Sequence, residues 1–76
     1  MNKKDLNYLV NFLVKRNYQK MYVKNTDEQV VLLIGNADVF LEDIIMECIY
    51  KLDIDFEEVK INELEIYPIA EVIIKF

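Results

Sequence analysis

Residues 29–35, Gln-Val-Val-Leu-Leu-Ile-Gly, constrain the fold more than any other stretch. Five successive apolar side chains, closed by the only glycine in the chain, leave no polar face. Such a run reads as a central strand, with neighbours on both sides and cover from another layer. The rest of the chain must therefore supply further strands and something to lay on them.

The segment just before it, 17–24, alternates. Tyr18, Lys20, Tyr22 and Lys24 fall on one face, and Gln19, Met21 and Val23 on the other. Asn-Thr-Asp-Glu at 25–28 is a polar turn, so the two segments form a hairpin. Helical spacing flanks this hairpin on either side. Leu6, Leu9, Val10, Leu13 and Val14 share one stripe, with Asn2 as the cap and Asp5 three residues on. Tyr8 and Phe12 widen that stripe, which predicts two buried sides: the sheet and a second subunit. A second helix is predicted over 36–52, capped by Asn36 or Asp38, with Leu41, Ile44, Ile45, Cys48, Ile49 and Leu52 inward. Met46, Tyr50 and nearby Phe40 lie beside that stripe. With Tyr8 and Phe12 they are the candidate self-association residues.

Apolar parity changes within 53–67: Val59 and Ile61 are odd, Leu64 and Ile66 even. A two-residue turn at Asn62-Glu63 accounts for the change. It pairs Ile61 with Leu64, Val59 with Ile66 and Lys60 with Glu65. Pro68 marks an edge or a break, and 71–76 is a fifth strand or a continuation beyond a bulge. The order is α-β-β-α-β-β. It predicts an α+β fold, a small two-layer domain over residues 1–76. An antiparallel sheet of four or five strands carries two helices on one face.

A chain of 76 residues is one domain of marginal intrinsic stability. Small domains usually gain help from disulfides, a metal or a partner. Cys48 is the sole cysteine and there is no His, so no disulfide, metal or cofactor is expected. A homodimer or a tight partner complex is expected instead, in keeping with a hydrophobic share of 54%. No stretch is apolar enough to span a membrane. The basic, then apolar start is broken by Asp5, Asn7 and Asn11, and it reads as an amphipathic helix and not a signal peptide. A cytoplasmic setting follows from that and from the free thiol. For a phage-encoded chain it would be the bacterial host cytoplasm.

Charge is divided unevenly. Residues 1–24 carry six Lys or Arg against one Asp, a net of +5. Residues 25–76 carry three Lys against thirteen Asp or Glu, a net of −10. Such a split speaks to association and not to fold. The bland outcome is mutual compensation within the domain. The alternative is an acidic partner-binding face, made of Glu42, Asp43 and Glu47 from the second helix with Asp53, Asp55, Glu57, Glu58, Glu63 and Glu65. Carboxylates in a row imitate phosphates and attract a basic nucleic-acid-binding protein in a salt-dependent way. In size and acidity the chain is similar to the small inhibitors that phages use against host nucleases and nucleoid proteins. An anti-CRISPR-like or DNA-mimic role is therefore the leading expectation, and a homo-oligomeric structural or regulatory subunit the alternative. Direct nucleic-acid binding by the Tyr/Lys strand is disfavoured by the net charge of −5.

Catalytic residues are not expected. Without His or Ser there is no imidazole acid–base pair and no Ser-based triad, and one Gly cannot form a phosphate-cradling loop. Cys48 falls on the inner stripe of its helix, as a small core residue does.

Overall fold

The computed structural model describes all residues, 1–76. Its elements are α1 (Lys3–Val14), β1 (Gln19–Asn25), β2 (Gln29–Gly35), α2 (Leu41–Leu52), β3 (Glu58–Glu63) and β4 (Ala70–Lys75). The four strands form one antiparallel sheet in the order β1-β2-β4-β3. The α+β class and the α-β-β-α-β-β order are as the sequence predicts. Residues 71–76 are no fifth strand, since they make up most of β4 itself. No helix is long and apolar enough to cross a membrane.

Alternation explains the layers. Val30, Leu32 and Ile34 of β2 and Ala70, Val72 and Ile74 of β4 are buried. Between them, Val31, Leu33 and Ile73 stay half-buried on the face without helices. Leu9, Phe12 and Leu13 of α1 and Leu41, Ile45, Cys48 and Ile49 of α2 complete the core. Burial, against the opposing pull of Arg16 and Lys51, pushes the Cys48 thiol up to about 11, so it sits in the core as a neutral thiol.

Helix α1 begins as expected, with the Asn2 side chain accepting from the Asp5 backbone N–H at 2.8 Å. Its C-terminal turn closes through Asn17 in the left-handed region (φ 69°). Tyr18 N–H then reaches back to the Leu13 carbonyl at 3.1 Å. Helix α2 starts five residues later than expected, at Leu41, and Phe40 is its uncapped N-terminal neighbour. The Asp38 carboxylate is used elsewhere. It accepts from the Tyr18 hydroxyl at 2.5 Å and from the Phe40 backbone N–H at 3.1 Å, which holds 36–40 as a non-helical loop.

Two strand expectations are corrected. A bulge at Met21 shifts the β1–β2 register between Lys20 and Tyr22. Lys20 therefore stands opposite buried Ile34, whereas Tyr22 and Lys24 stand opposite Leu33 and Val31 on the open face. Tyr18 precedes the strand and is buried, so the four Tyr/Lys residues do not share a face. The turn at Asn62-Glu63 is also absent. Val59 pairs with Ile74, Lys60 with Ile73, Ile61 with Val72 and Glu63 with Ala70. The connection runs over 64–69, so Leu64 and Ile66 are exposed and Glu65 has no strand partner.

Candidate protein-binding surface

The strand order turns the uneven sequence charge into a spatial one. β1 and β3 are opposite edges of the sheet. Helix α1 packs with β1, which brings Lys3, Lys4, Lys15, Lys20 and Lys24 to that side, all exposed. At the other side, Leu41 at the start of α2 lines one cavity with Ile61 and Glu63 of β3. α2, the 53–57 connection and β3 thus form one continuous flank, and eight of the nine carboxylates singled out from the sequence are exposed on or beside it. The ninth, Glu47, pairs with Lys51, whose ammonium lies 5.2 Å from the centre of the Phe12 ring, and so faces α1.

They fall into groups. Glu42, Asp43, Glu63 and Glu65 belong to the end where α2 begins and β3 finishes. Asp53, Asp55, Glu57 and Glu58 belong to the end where α2 finishes and β3 begins, with Glu47 midway along the helix. Only two ion pairs form: Glu47 with Lys51 and Glu58 with Lys75, both at 3.7 Å and half-exposed. Pairs of that kind contribute little. Neither joins the basic residues 1–24 to the acidic remainder, so the two charge blocks are not neutralised by contact. Arg16 is used internally, its guanidinium lying 3.5 Å from the centre of the Phe12 ring.

The linear density of charge bears on what the flank can attract. A twelve-residue helix is about 18 Å long. Eight carboxylates over about that length are roughly one per 2.3 Å, against roughly one charge per 1.7 Å of duplex DNA. Lys60, and Lys75 paired with Glu58 beside it, dilute this to roughly one net charge per 3 Å, sparser than the duplex.

The residues proposed for self-association are dispersed. Tyr8 is half-exposed on α1 and stacks on Phe12 with ring centres 6.0 Å apart. Phe12 is buried in the core and offers no free surface. Met46 is half-buried, Tyr50 stands exposed on α2, and Phe40 is exposed at the loop end.

The structure adds a feature that the sequence reasoning missed. Loops 36–40 and 64–69 meet at one end of the sheet, where the Ala37 backbone N–H donates to the Pro68 carbonyl at 2.8 Å. Val39, Phe40, Ile66 and Tyr67 are exposed there by 85%, 63%, 73% and 76%. Exposed apolar side chains gathered in loops mark an interaction surface more often than isolated ones do. The available signal was Glu-Ile-Tyr-Pro at 65–68, where a proline stops a ladder within an apolar stretch.

Compared with protein-family models and with curated proteins, the chain finds no match.

Proposed function

We propose that this chain is a non-enzymatic binding module whose α2–β3 flank engages a basic, nucleic-acid-binding protein and inhibits or regulates it by occupying the site of its nucleic acid. The observation that carries the reading is the gathering of eight exposed carboxylates on the α2–β3 flank, across the sheet from the lysines of residues 1–24 and joined to none of those by an ion pair. Their charge is sparser than that of duplex DNA but has the sign that such partners already recognise. Lysine- and arginine-lined grooves would be steered to this flank rapidly, with an affinity that falls with salt. The setting proposed for this encounter is the bacterial cytoplasm.

The direct test is capture of partners on the tagged protein from nuclease-treated bacterial lysate, washed at low and then high salt. A basic DNA- or RNA-binding protein should be retained at low salt and released at high salt. The Glu57, Glu58, Glu63 and Glu65→Lys variant should retain none of it. Equal retention by the wild type and the reversed variant would refute the acidic-flank reading.

A second reading is self-association through the uncovered sheet face. It is favoured by half-buried Val31, Leu33 and Ile73 on that face, in a domain small enough to gain from a partner. A mass in light scattering that stays monomeric from micromolar to near-millimolar protein would reject it.

A further inference from the structure

The loop end holds a cavity as well as exposed apolar side chains. It has a volume of about 70 Å³ and is lined by Ala37, Leu41, Ile61, Pro68 and Ala70, with Asp38 and Glu63 also on its surface. Pockets for metabolites run to roughly 300–1,000 Å³. A cavity of roughly 150 Å³ admits benzene. The space here is too small for either and suits one aliphatic side chain.

The segments that line it carry charge of one sign, and Lys20 stands on the far side of the 36–40 loop, in the groove it shares with Asn36. Residues 25–50 and 61–74 contain no Lys or Arg. These segments supply both loops, the first turn of α2 and the end of β3. Glu42, Asp43, Glu63 and Glu65 are exposed there without a cation partner, while Asp38 is committed to Tyr18 and Phe40.

We propose that this end is the anchor site for a basic segment of the partner protein, with one aliphatic side chain entering the cavity between loops 36–40 and 64–69. Val39, Phe40, Ile66 and Tyr67 close around the anchor and lose water contact. Lys or Arg residues on either side of it meet the four free carboxylates, which holds the segment over the cavity. The arrangement follows the usual division of an interface into an apolar centre and a polar rim. It rests on the acidic-flank reading above and adds to it the part that distinguishes one basic partner from another, since carboxylates alone accept any cation.

Three labelled synthetic peptides test this. They are rich in Lys and Arg and identical except for a central Leu, Gly or Trp. Each is titrated by fluorescence anisotropy into the wild type, into Ala37→Leu, which fills the cavity, and into the exposed-site double variant Ile66→Ser/Tyr67→Ser. Circular dichroism checks each fold. The Leu peptide should bind the wild type at least about tenfold tighter than the Gly and Trp peptides, and both variants should erase that preference. If Ala37→Leu unfolds, the double serine variant decides alone, because its positions are exposed. Equal binding of all three peptides to the wild type, weakened alike by salt, would overturn the anchor site and leave the acidic flank standing. Preference for Trp would overturn it as well. No binding by any peptide at low salt would overturn both.

Discussion

The β1–β2 connection consists of three polar residues, 26–28. Thr26 N–H donates to the Gln29 carbonyl at 2.9 Å, and Gln29 N–H donates to Thr26 Oγ1 at 3.2 Å. The β3–β4 connection is six residues, 64–69, and exposes Leu64, Ile66 and Tyr67 to water. It is nevertheless ordered by hydrogen bonds of its own: Leu64 N–H to the Ile69 carbonyl and Ile69 N–H to the Ile66 carbonyl, both at 3.0 Å. Each connection closes an antiparallel pair, Asn25 with Val30 in one case and Glu63 with Ala70 in the other. Hairpin closure needs only two to five residues. The first turn is therefore accounted for by folding alone. The second is longer and more apolar than folding requires, and surplus of that kind on a rigid scaffold is where binding surfaces are built.

The largest expected effect comes from making the second connection resemble the first. Replacing 64–69 by Asn-Gly preserves the Glu63–Ala70 register, because two residues suffice for a tight hairpin. Folding stability in urea should fall by about 1–3 kcal/mol, from the lost Ala37–Pro68 hydrogen bond and the half-buried Pro68 and Ile69, because loop-closure entropy itself varies slowly with length. Binding of the Leu peptide should weaken by about 2–3 kcal/mol, the scale of a lost hot spot. Next is the tie that holds the 36–40 loop. Tyr18→Phe removes the hydroxyl donated to Asp38 and should cost about 1–2 kcal/mol in urea unfolding.

That tie also predicts a pH dependence. Burial first, then the hydrogen bond to Asp38, pushes the Tyr18 phenol up to about 12. The folded protein therefore disfavours the phenolate relative to the unfolded chain, whose phenol ionises near pH 10. The stabilisation is whole below about pH 10 and is lost as pH rises toward 12. The urea midpoint should fall over that interval more in the wild type than in Tyr18→Phe.

A smaller gain is expected at the end of α2. Asp53 adopts a left-handed conformation (φ 54°) and places a carboxylate at the negative end of the helix dipole. Both features oppose local stability. Asp53→Gly should stabilise the fold by about 1 kcal/mol. An acid kept where glycine is favoured agrees with charge on this flank serving association. The smallest effect belongs to the first turn. Thr26→Ala should cost about 0.5–1 kcal/mol and leave peptide binding unchanged.

The helices and the element order could be read from the sequence because their apolar periods span many residues. The second hairpin could not. Val59 and Ile61 are odd, while Leu64, Ile66, Ala70, Val72 and Ile74 are all even. Sliding the pairing by an even number of residues therefore leaves the same side chains facing inward. Parity identifies the inner face but not where the second strand begins. The bulge at Met21 is hidden for a related reason: one extra residue reverses the alternation locally, and a polar edge strand carries too little apolar signal to show it. The acidic residues could be named from composition. Their separation from the lysines depends on the order β1-β2-β4-β3, which only the long-range pairing of β2 with β4 establishes.

The most direct test of the contrast between the two ends is an amide chemical-shift map of isotope-labelled protein titrated with the Leu-bearing Lys/Arg peptide. Shifts should concentrate at residues 37–43 and 61–70, with residues 25–28 unmoved despite Asp27 and Glu28 in that turn. Shifts centred on 25–28, or spread evenly over every exposed carboxylate, would contradict the assignment of binding to the loop end.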